Sequence, residues 1–262
     1  MSQAAARTGP PGEVTFVDEG VVSPSKASSI LASLRDPNSV VGEELRLLRS
    51  RLGGDGKAKV HRCLALTSAL PGEGKSTLAL GLAAAFAREA GRRVLLIEGD
   101  LRRPTVAEVL GLPPALGLGE WLAGKINRVP VRRVRHAEFS LLVAGQCSFD
   151  RPEVLGSPAM DSLLQVARKS YDRVILDVPP LLPVADATLL QDLIDAFVLV
   201  VRSRVTPRDA ITEALKRLHR DRVVGVVLND HKEYRHSYSS YAYYRYGMSY
   251  GPGGSKPGGE RR

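Results

Sequence analysis

Cys63-Leu64-Ala65-Leu66-Thr67-Ser68-Ala69-Leu70-Pro71-Gly72-Glu73-Gly74-Lys75-Ser76-Thr77 is the stretch that decides the fold. An apolar run of strand length, Cys63–Thr67, enters a glycine-containing turn, and an amphipathic helical pattern, Lys75–Arg88, leaves it. The phosphate-loop pattern is G-x-x-x-x-G-K-[ST]; Ala69 takes the place of its first glycine, and the remainder fits. Gly72 and Gly74 let backbone N–H groups turn inward on a phosphate. Lys75 supplies a point charge for the β and γ phosphates. The Ser76 hydroxyl can reach Mg²⁺, and the helix N-terminus adds the positive end of its dipole. Pro71, Glu73 and Thr77 complete the segment expected to contact nucleotide. A nucleotide with Mg²⁺ is therefore the expected ligand.

Working outward, short apolar runs alternate with amphipathic stretches. Strands are predicted at Cys63–Thr67, Val94–Ile97, Leu141–Val143, Val174–Leu176, Ala196–Val201 and Val223–Leu228. Helices are predicted at Val41–Leu52, Lys75–Arg88, Thr105–Leu110, Leu118–Ala123, Ser157–Lys169, Ala185–Leu193 and Pro207–His219. Strands that are apolar throughout imply a sheet covered on both faces. Strand–helix alternation implies parallel βαβ units, with ligands bound at the carboxyl ends of the strands. The expected fold is α/β, a mostly parallel sheet flanked by helices, of the P-loop NTPase type.

Polar residues just after each strand then carry most weight. The second of these strands runs into Glu98-Gly99-Asp100-Leu101-Arg102-Arg103-Pro104, and the fourth into Asp177-Val178-Pro179-Pro180. Asp177 reads as a Walker B carboxylate holding Mg²⁺ directly or through water. Glu98 and Asp100 lie two residues apart and, if extended, point to the same side. Lys75, Glu98, Asp100 and Asp177 are the candidate catalytic residues, and Ser76, Asp100 and Asp177 the candidate metal ligands.

Both ends differ from this middle. Residues 1–38 are rich in Ala, Ser, Pro and Gly without sustained periodicity and are expected to be flexible. Residues 39–230 form the expected P-loop domain, and 231–262 a flexible tail. The 262 residues carry a formal charge of +9, compatible with an anionic surface or an acidic partner. The basic stretch Arg132–His136 reads as solvated surface. Cys63 and Cys147 are far apart and lack metal-ligand spacing, which suggests a reducing compartment. The N-terminus has no apolar signal core, and no apolar run reaches the ~18 residues of a membrane span. The expected location is cytoplasmic, with recruitment to the membrane's inner face through a partner.

Seven of the eight tyrosines lie in the tail: Tyr234, Tyr238, Tyr241, Tyr243, Tyr244, Tyr246 and Tyr250. Their neighbours are Arg, His, Ser, Ala, Gly and Met, with no period that would bury the rings. Phenols on a basic tail are good phosphate acceptors, and a phosphate loop stands upstream in the same chain.

These features together resemble the cytoplasmic catalytic domain of the bacterial tyrosine kinases (BY-kinases), which regulate export of capsular and extracellular polysaccharide. The resemblance covers about residues 40–250. Glu98-Gly-Asp100-Leu-Arg102 is similar to that family's Walker A′ pattern, usually Asp-x-Asp-x-Arg, with Glu98 as the departure. Leu176-Asp177-Val178-Pro179-Pro180 followed by Pro183-Val-Ala-Asp186-Ala matches its Walker B region. The resemblance implies an ATP-dependent protein-tyrosine autokinase whose phosphoacceptors are the seven tail tyrosines. It implies that Glu43, Arg46 and Arg49, as E-x-x-R-x-x-R on a helix with apolar face Val41, Leu45, Leu48 and Leu52, lie at the subunit interface of a ring. It places Asn229 and Arg202 near adenine. The implied partners are a transmembrane polysaccharide co-polymerase that activates the kinase, further copies of the chain, a tyrosine phosphatase and other protein substrates.

Two other readings stay open at this point. One is a partitioning-type regulatory P-loop ATPase without kinase activity. Those proteins carry an extra lysine at the start of the loop, where this chain has Leu70, and lack a tyrosine tail. The other makes the tail a nucleic-acid stacking segment, which explains the tail but not the nucleotide site, so nucleic acid is not an expected partner.

Overall fold

The computed structural model describes residues 14–25, 29–36, 39–53, 61–146 and 152–230. Chain contacts divide the protein into Met1–Asn229 and Asp230–Arg262. Cys147 and the tail tyrosines Tyr234–Tyr250 lie outside the described residues.

The described strands are β1 (Phe16–Val22), β2 (Cys63–Ser68), β3 (Val94–Glu98), β4 (Val129–Val134), β5 (Ser140–Leu142), β6 (Arg173–Asp177), β7 (Ala196–Arg202) and β8 (Val223–Asn229). The helices are α1 (Ser29–Arg35), α2 (Val40–Gly53), α3 (Lys75–Ala87), α4 (Val106–Leu110), α5 (Leu118–Leu122), α6 (Pro158–Ser170) and α7 (Arg208–Lys216). The strands form one sheet in the order β1-β4-β5-β3-β6-β2-β7-β8. Every pairing is parallel except β4 with β5. Strands β2, β3 and β6, apolar except at end residues Thr67, Ser68, Glu98, Arg173 and Asp177, are buried along their whole length, as strands covered on both faces must be. Edge strand β8 instead alternates half-buried with exposed residues.

One apolar core lies between the sheet and α1, α2, α3 and α4, and the other against α5, α6 and α7. Local signals set the helix ends. Ser157 accepts a hydrogen bond from the Met160 amide at 3.3 Å, Pro158 follows it, and Arg168 and Lys169 occupy the last turn of α6. Helix α3 departs from the amphipathic pattern expected of it. Nearly all its side chains are buried, because the sheet covers one side and α1, α2 and α4 close the rest.

Several expectations are corrected. Residues 1–38 are not uniformly flexible: β1 pairs with β4, and the Phe16 ring meets Tyr171 edge-on at 5.7 Å. Helix α1 sends Ile30 and Leu31 into the core. The stretch Arg132–His136 is not simply solvated surface, since its first residues belong to β4 and Arg132 is paired with Glu19. Residues Ala185–Leu193 form a single 3₁₀ turn, Thr188–Leu190, in place of a helix. On α2 the buried face is Gly42, Leu45 and Leu52, while Val41 is exposed. Cys63 is a buried free thiol, and burial pushes its pKa up to about 12, which makes it inert packing. Among the described residues no helix is long and apolar enough to cross a membrane.

Gly42 faces inward because α1 leaves no room for a side chain there. A Cβ at this position would lie 2.5 Å from the backbone oxygen of Ser33. Alanine is favoured over glycine by about 1 kcal/mol in a helix, but forced overpacking costs about 1–3 kcal/mol. Gly42→Ala is expected to lower stability in chemical denaturation, against its helix propensity; a more stable variant would show that α1 yields freely.

Candidate nucleotide site

Three neighbouring strand ends build the site. In register, Asp177 of β6 lies opposite Leu66 of β2 and Glu98 of β3, so the phosphate loop and the segments after β3 and β6 leave the sheet side by side. The loop turns on Gly72 and Gly74, with φ of +79° and +89°, a region that side chains disfavour. Gly74 also has no space for a Cβ, which would fall 2.1 Å from the Asn229 amide nitrogen. Lys75 and Ser76 then open α3, with the loop at its N-terminus.

The Lys75 ammonium lies 2.9 Å from Asp100 Oδ2, 3.3 Å from Asp177 Oδ1 and 3.4 Å from Ser76 Oγ. All four residues are buried. Burial opposes the charge of Lys75, but the carboxylates of Asp177 and Asp100 more than offset it and raise the lysine's pKa. One ammonium shared by two carboxylates leaves a net negative charge. Asp177 is where burial wins: desolvation raises its pKa from 3.8 to about 6, with Lys75 and the Ser76 hydroxyl opposing the rise.

A magnesium ion fits this donor set. Asp177 Oδ2 is buried and has no hydrogen-bond partner among the described residues. Asp100 and the Ser76 hydroxyl add oxygen donors beside it. Mg²⁺ is held by one or two carboxylates together with substrate phosphates. No group of three or more His, Cys, Asp or Glu suited to a metal occurs among the described residues, so the ion would depend on phosphate oxygens of the nucleotide.

Glu98 makes different contacts from Asp100, contrary to the expectation that both present their carboxylates together. Its two oxygens accept from the amides of Val106 at 2.6 Å and Ala144 at 3.0 Å. The residue is fully buried, and desolvation raises its pKa against those backbone donors. Glu98 thus ties the start of α4 and the segment after β5 to the end of β3. Asp100 instead turns to Lys75 and accepts the Arg103 amide at 3.1 Å. The Gly99 amide still continues the pairing with β6, bonding the Asp177 carbonyl at 2.8 Å, but the Leu101 amide bonds back to the Gly99 carbonyl at 3.0 Å, so the chain turns at Asp100 and the two carboxylates diverge.

At the other end of the loop, Arg202 and Asn229 face each other across β7 and β8 in register. Asn229 gives its side-chain N–H to the Glu73 carbonyl at 2.9 Å, so it braces the phosphate loop as well as lying at the end of β8. Arg202 is exposed. The Glu73 carboxylate, buried inside the loop, accepts from the Leu70 amide at 2.9 Å and from the Thr206 hydroxyl. Pro71 and Thr77 flank this segment.

Sequence reasoning missed several residues. Thr105 donates to Ser76 Oγ at 2.7 Å; Asp186, read from the sequence only as part of a motif, accepts from Arg102 Nε at 2.7 Å and links the segments after β3 and β6. Glu120 accepts the amides of Gly117 and Gln146, both at 2.9 Å. Thr105 had a signal, a threonine directly before an apolar helix, but its partner is set by tertiary structure. On α2, Glu43 pairs with Arg46 at 2.6 Å, whereas Arg49 reaches α3 through the Ala85 carbonyl at 3.2 Å and lies 3.3 Å from Glu89. Within the chain, then, the three expected interface residues do not act as one group.

The raised Asp177 pKa gives two expectations. Above about 6 the carboxylate is ionised and can take a metal, so metal-dependent nucleotide binding should weaken below about pH 6. Between 3.8 and about 6 the folded state binds more protons at this residue than the unfolded state. Its contribution to stability is therefore full below 3.8 and lost as pH rises through about 6. Relative to Asp177→Asn, the nucleotide-free wild type should lose thermal stability across that window; parallel melting profiles would contradict this.

Residues 64–245 match the family described as the CobQ/CobB/MinD/ParA nucleotide binding domain. The chain is 34% identical over 223 residues to tyrosine-protein kinase YwqD of Bacillus subtilis, an alignment covering 84% of this chain and 93% of that one. It is 34% identical over 200 residues to the succinoglycan biosynthesis transport protein ExoP of Rhizobium meliloti, covering 69% of this chain but 25% of that protein. Among solved structures, the kinase domain of the Escherichia coli tyrosine kinase ETK aligns with a TM-score of 0.67 at 29% identity, covering 75% of this chain and 79% of that one. A mostly parallel sheet, a phosphate loop at its carboxyl edge and these similarities give one conclusion: the chain belongs to the CobQ/CobB/MinD/ParA nucleotide-binding family and, within it, to the bacterial tyrosine-protein kinases.

Proposed function

We propose that this chain is an ATP- and Mg²⁺-dependent protein-tyrosine autokinase that phosphorylates its own tail tyrosines and regulates synthesis and export of an extracellular polysaccharide. The observation that carries the reading is the Lys75 ammonium held between the buried carboxylates of Asp100 and Asp177 at the mouth of the phosphate loop.

Phosphoryl transfer is mainly a matter of position and charge. The loop amides from Gly72 to Thr77 and the Lys75 ammonium bind the phosphates and stabilise the charge on the transferred group. Ser76, Asp100 and Asp177 would hold Mg²⁺, which supplies neutralisation of phosphate charge when bound. Arg202 and Asn229 flank the base. The acceptor is a tail phenol, whose free pKa near 10 makes help with its proton useful. Glu98, with both oxygens on backbone amides, is assigned to positioning the segments around the site and not to that proton.

The role of ExoP as a succinoglycan biosynthesis transport protein supports the link to polysaccharide. A transmembrane co-polymerase is the proposed partner that brings the chain to the membrane's inner face. Oligomer formation through Glu43, Arg46 and Arg49, a tyrosine phosphatase and other protein substrates complete the proposed set. The surface arrangement of Glu43 and Arg46 leaves them available to a second copy, while Arg49 supports α2 against α3.

Incubation of purified protein with Mg-ATP should yield phosphotyrosine at Tyr234, Tyr238, Tyr241, Tyr243, Tyr244, Tyr246 or Tyr250. Lys75→Met and Asp177→Asn should each reduce the rate by about 10²–10³-fold, the usual cost of losing one electrostatic contact to the transition state. ATP hydrolysis without any phosphotyrosine, in wild type and with its membrane partner present, would favour a regulatory ATPase instead.

A further inference from the structure

The Lys75 ammonium occupies part of the donor set proposed for the metal. It lies within hydrogen-bonding distance of Asp100 Oδ2 and close to Asp177 Oδ1, on the two residues that supply the carboxylates of the metal site. Ser76, the third donor, is also engaged: its oxygen accepts from Thr105 at 2.7 Å and faces Lys75 at 3.4 Å. A divalent ion placed among these oxygens would meet a positive charge a few ångströms away in a dry setting, where repulsion is poorly screened. The lysine nevertheless satisfies the site only in part, since Asp177 Oδ2 is left without a partner among the described residues.

We propose that in the nucleotide-free protein Lys75 is the counter-ion of Asp100 and Asp177 and closes the metal site, so that nucleotide phosphate must draw the lysine away before or as the metal enters. This rests on reading Ser76, Asp100 and Asp177 as the metal ligands. Lys75 suits the task because its ammonium is a compact charge on a flexible four-carbon stem. Its backbone is fixed at the first turn of α3, beside the loop amides. A phosphate on those amides offers the ammonium a new anion without moving the helix. Each cation then has its own partner, lysine with phosphate and metal with the aspartates. Free metal gains nothing comparable, because it must expel the lysine and leave the buried ammonium unpaired. The same chain therefore does not load metal ahead of nucleotide.

The test is a titration of nucleotide-free protein with Mn²⁺, read by electron paramagnetic resonance, which requires no turnover. Wild type should bind Mn²⁺ weakly. Lys75→Met should bind it tighter by about tenfold or more, since removing the ammonium frees both carboxylates, while its affinity for ADP falls. Lys75→Met/Asp177→Asn should return to the weak level. Equal Mn²⁺ affinity in wild type and folded Lys75→Met would overturn the proposal. Failure of the metal-ligand reading itself looks different: Mn²⁺ held with ADP would then be unaffected by Asp177→Asn. Should Lys75→Met not fold, amine acylation mapped by mass spectrometry serves instead. Lys75 should react about tenfold more slowly in wild type than in Asp100→Asn/Asp177→Asn, the difference owed to its ion pairs; equal rates would overturn the proposal.

Discussion

A single buried ammonium between two carboxylates is the constraint that the rest of the structure serves. Asp100 comes from the segment after β3, Asp177 from the last position of β6 and Lys75 from the first position of α3, just past the loop after β2, so the ion cluster joins the three strand ends. A buried carboxylate with no cation is costly, and a buried pair is tolerable only when geometry is well held. The surrounding polar contacts hold it. Glu98 fixes the backbone at Val106 and Ala144, Glu73 and Asn229 brace the phosphate loop, and Arg102 with Asp186 spans the segments after β3 and β6.

Acidic residues around a site for an anionic nucleotide need explaining, and the hydrogen bonds supply the reason. Glu73 lies inside the phosphate loop, yet its carboxylate accepts the Leu70 amide and the Thr206 hydroxyl, so its charge is spent on shaping the loop. Glu98 and Glu120 likewise accept backbone amides. The remaining carboxylates, Asp100 and Asp177, share the lysine and suit a metal. Position in the motif does not separate these roles; hydrogen-bond partners do.

Much of the fold was legible because the decisive signals are local. An apolar strand, a glycine turn and Gly74-Lys75-Ser76 can form little other than a phosphate loop, and β2, β3, β6, β7 and β8 follow directly from unbroken or alternating apolar runs. The strands β1 and β4 were hidden because their stability is tertiary: Phe16 needs Tyr171, and Arg132 needs Glu19 across the β1–β4 pair. Helix α3 looked amphipathic in part because small residues such as Ala79 and Ala83 do not reveal how many neighbours surround them. At the site, Lys75, Asp100 and Asp177 were found together by type and spacing. The separate role of Glu98 was not, because the chain turns at Asp100, where the Leu101 amide bonds back to the Gly99 carbonyl, and this breaks the extended geometry on which the spacing argument depends.

The central claim is that the carboxylates now paired with Lys75 hold the metal of a bound nucleotide. A crystal structure with Mg²⁺ and ADP tests it most directly. The expected result is a metal coordinated by Ser76 Oγ and a phosphate oxygen at about 2.0–2.1 Å, with Asp177 coordinated directly or through one water and the Lys75 ammonium moved from Asp177 to phosphate. A metal seated elsewhere, with Lys75 still between Asp100 and Asp177, would contradict it.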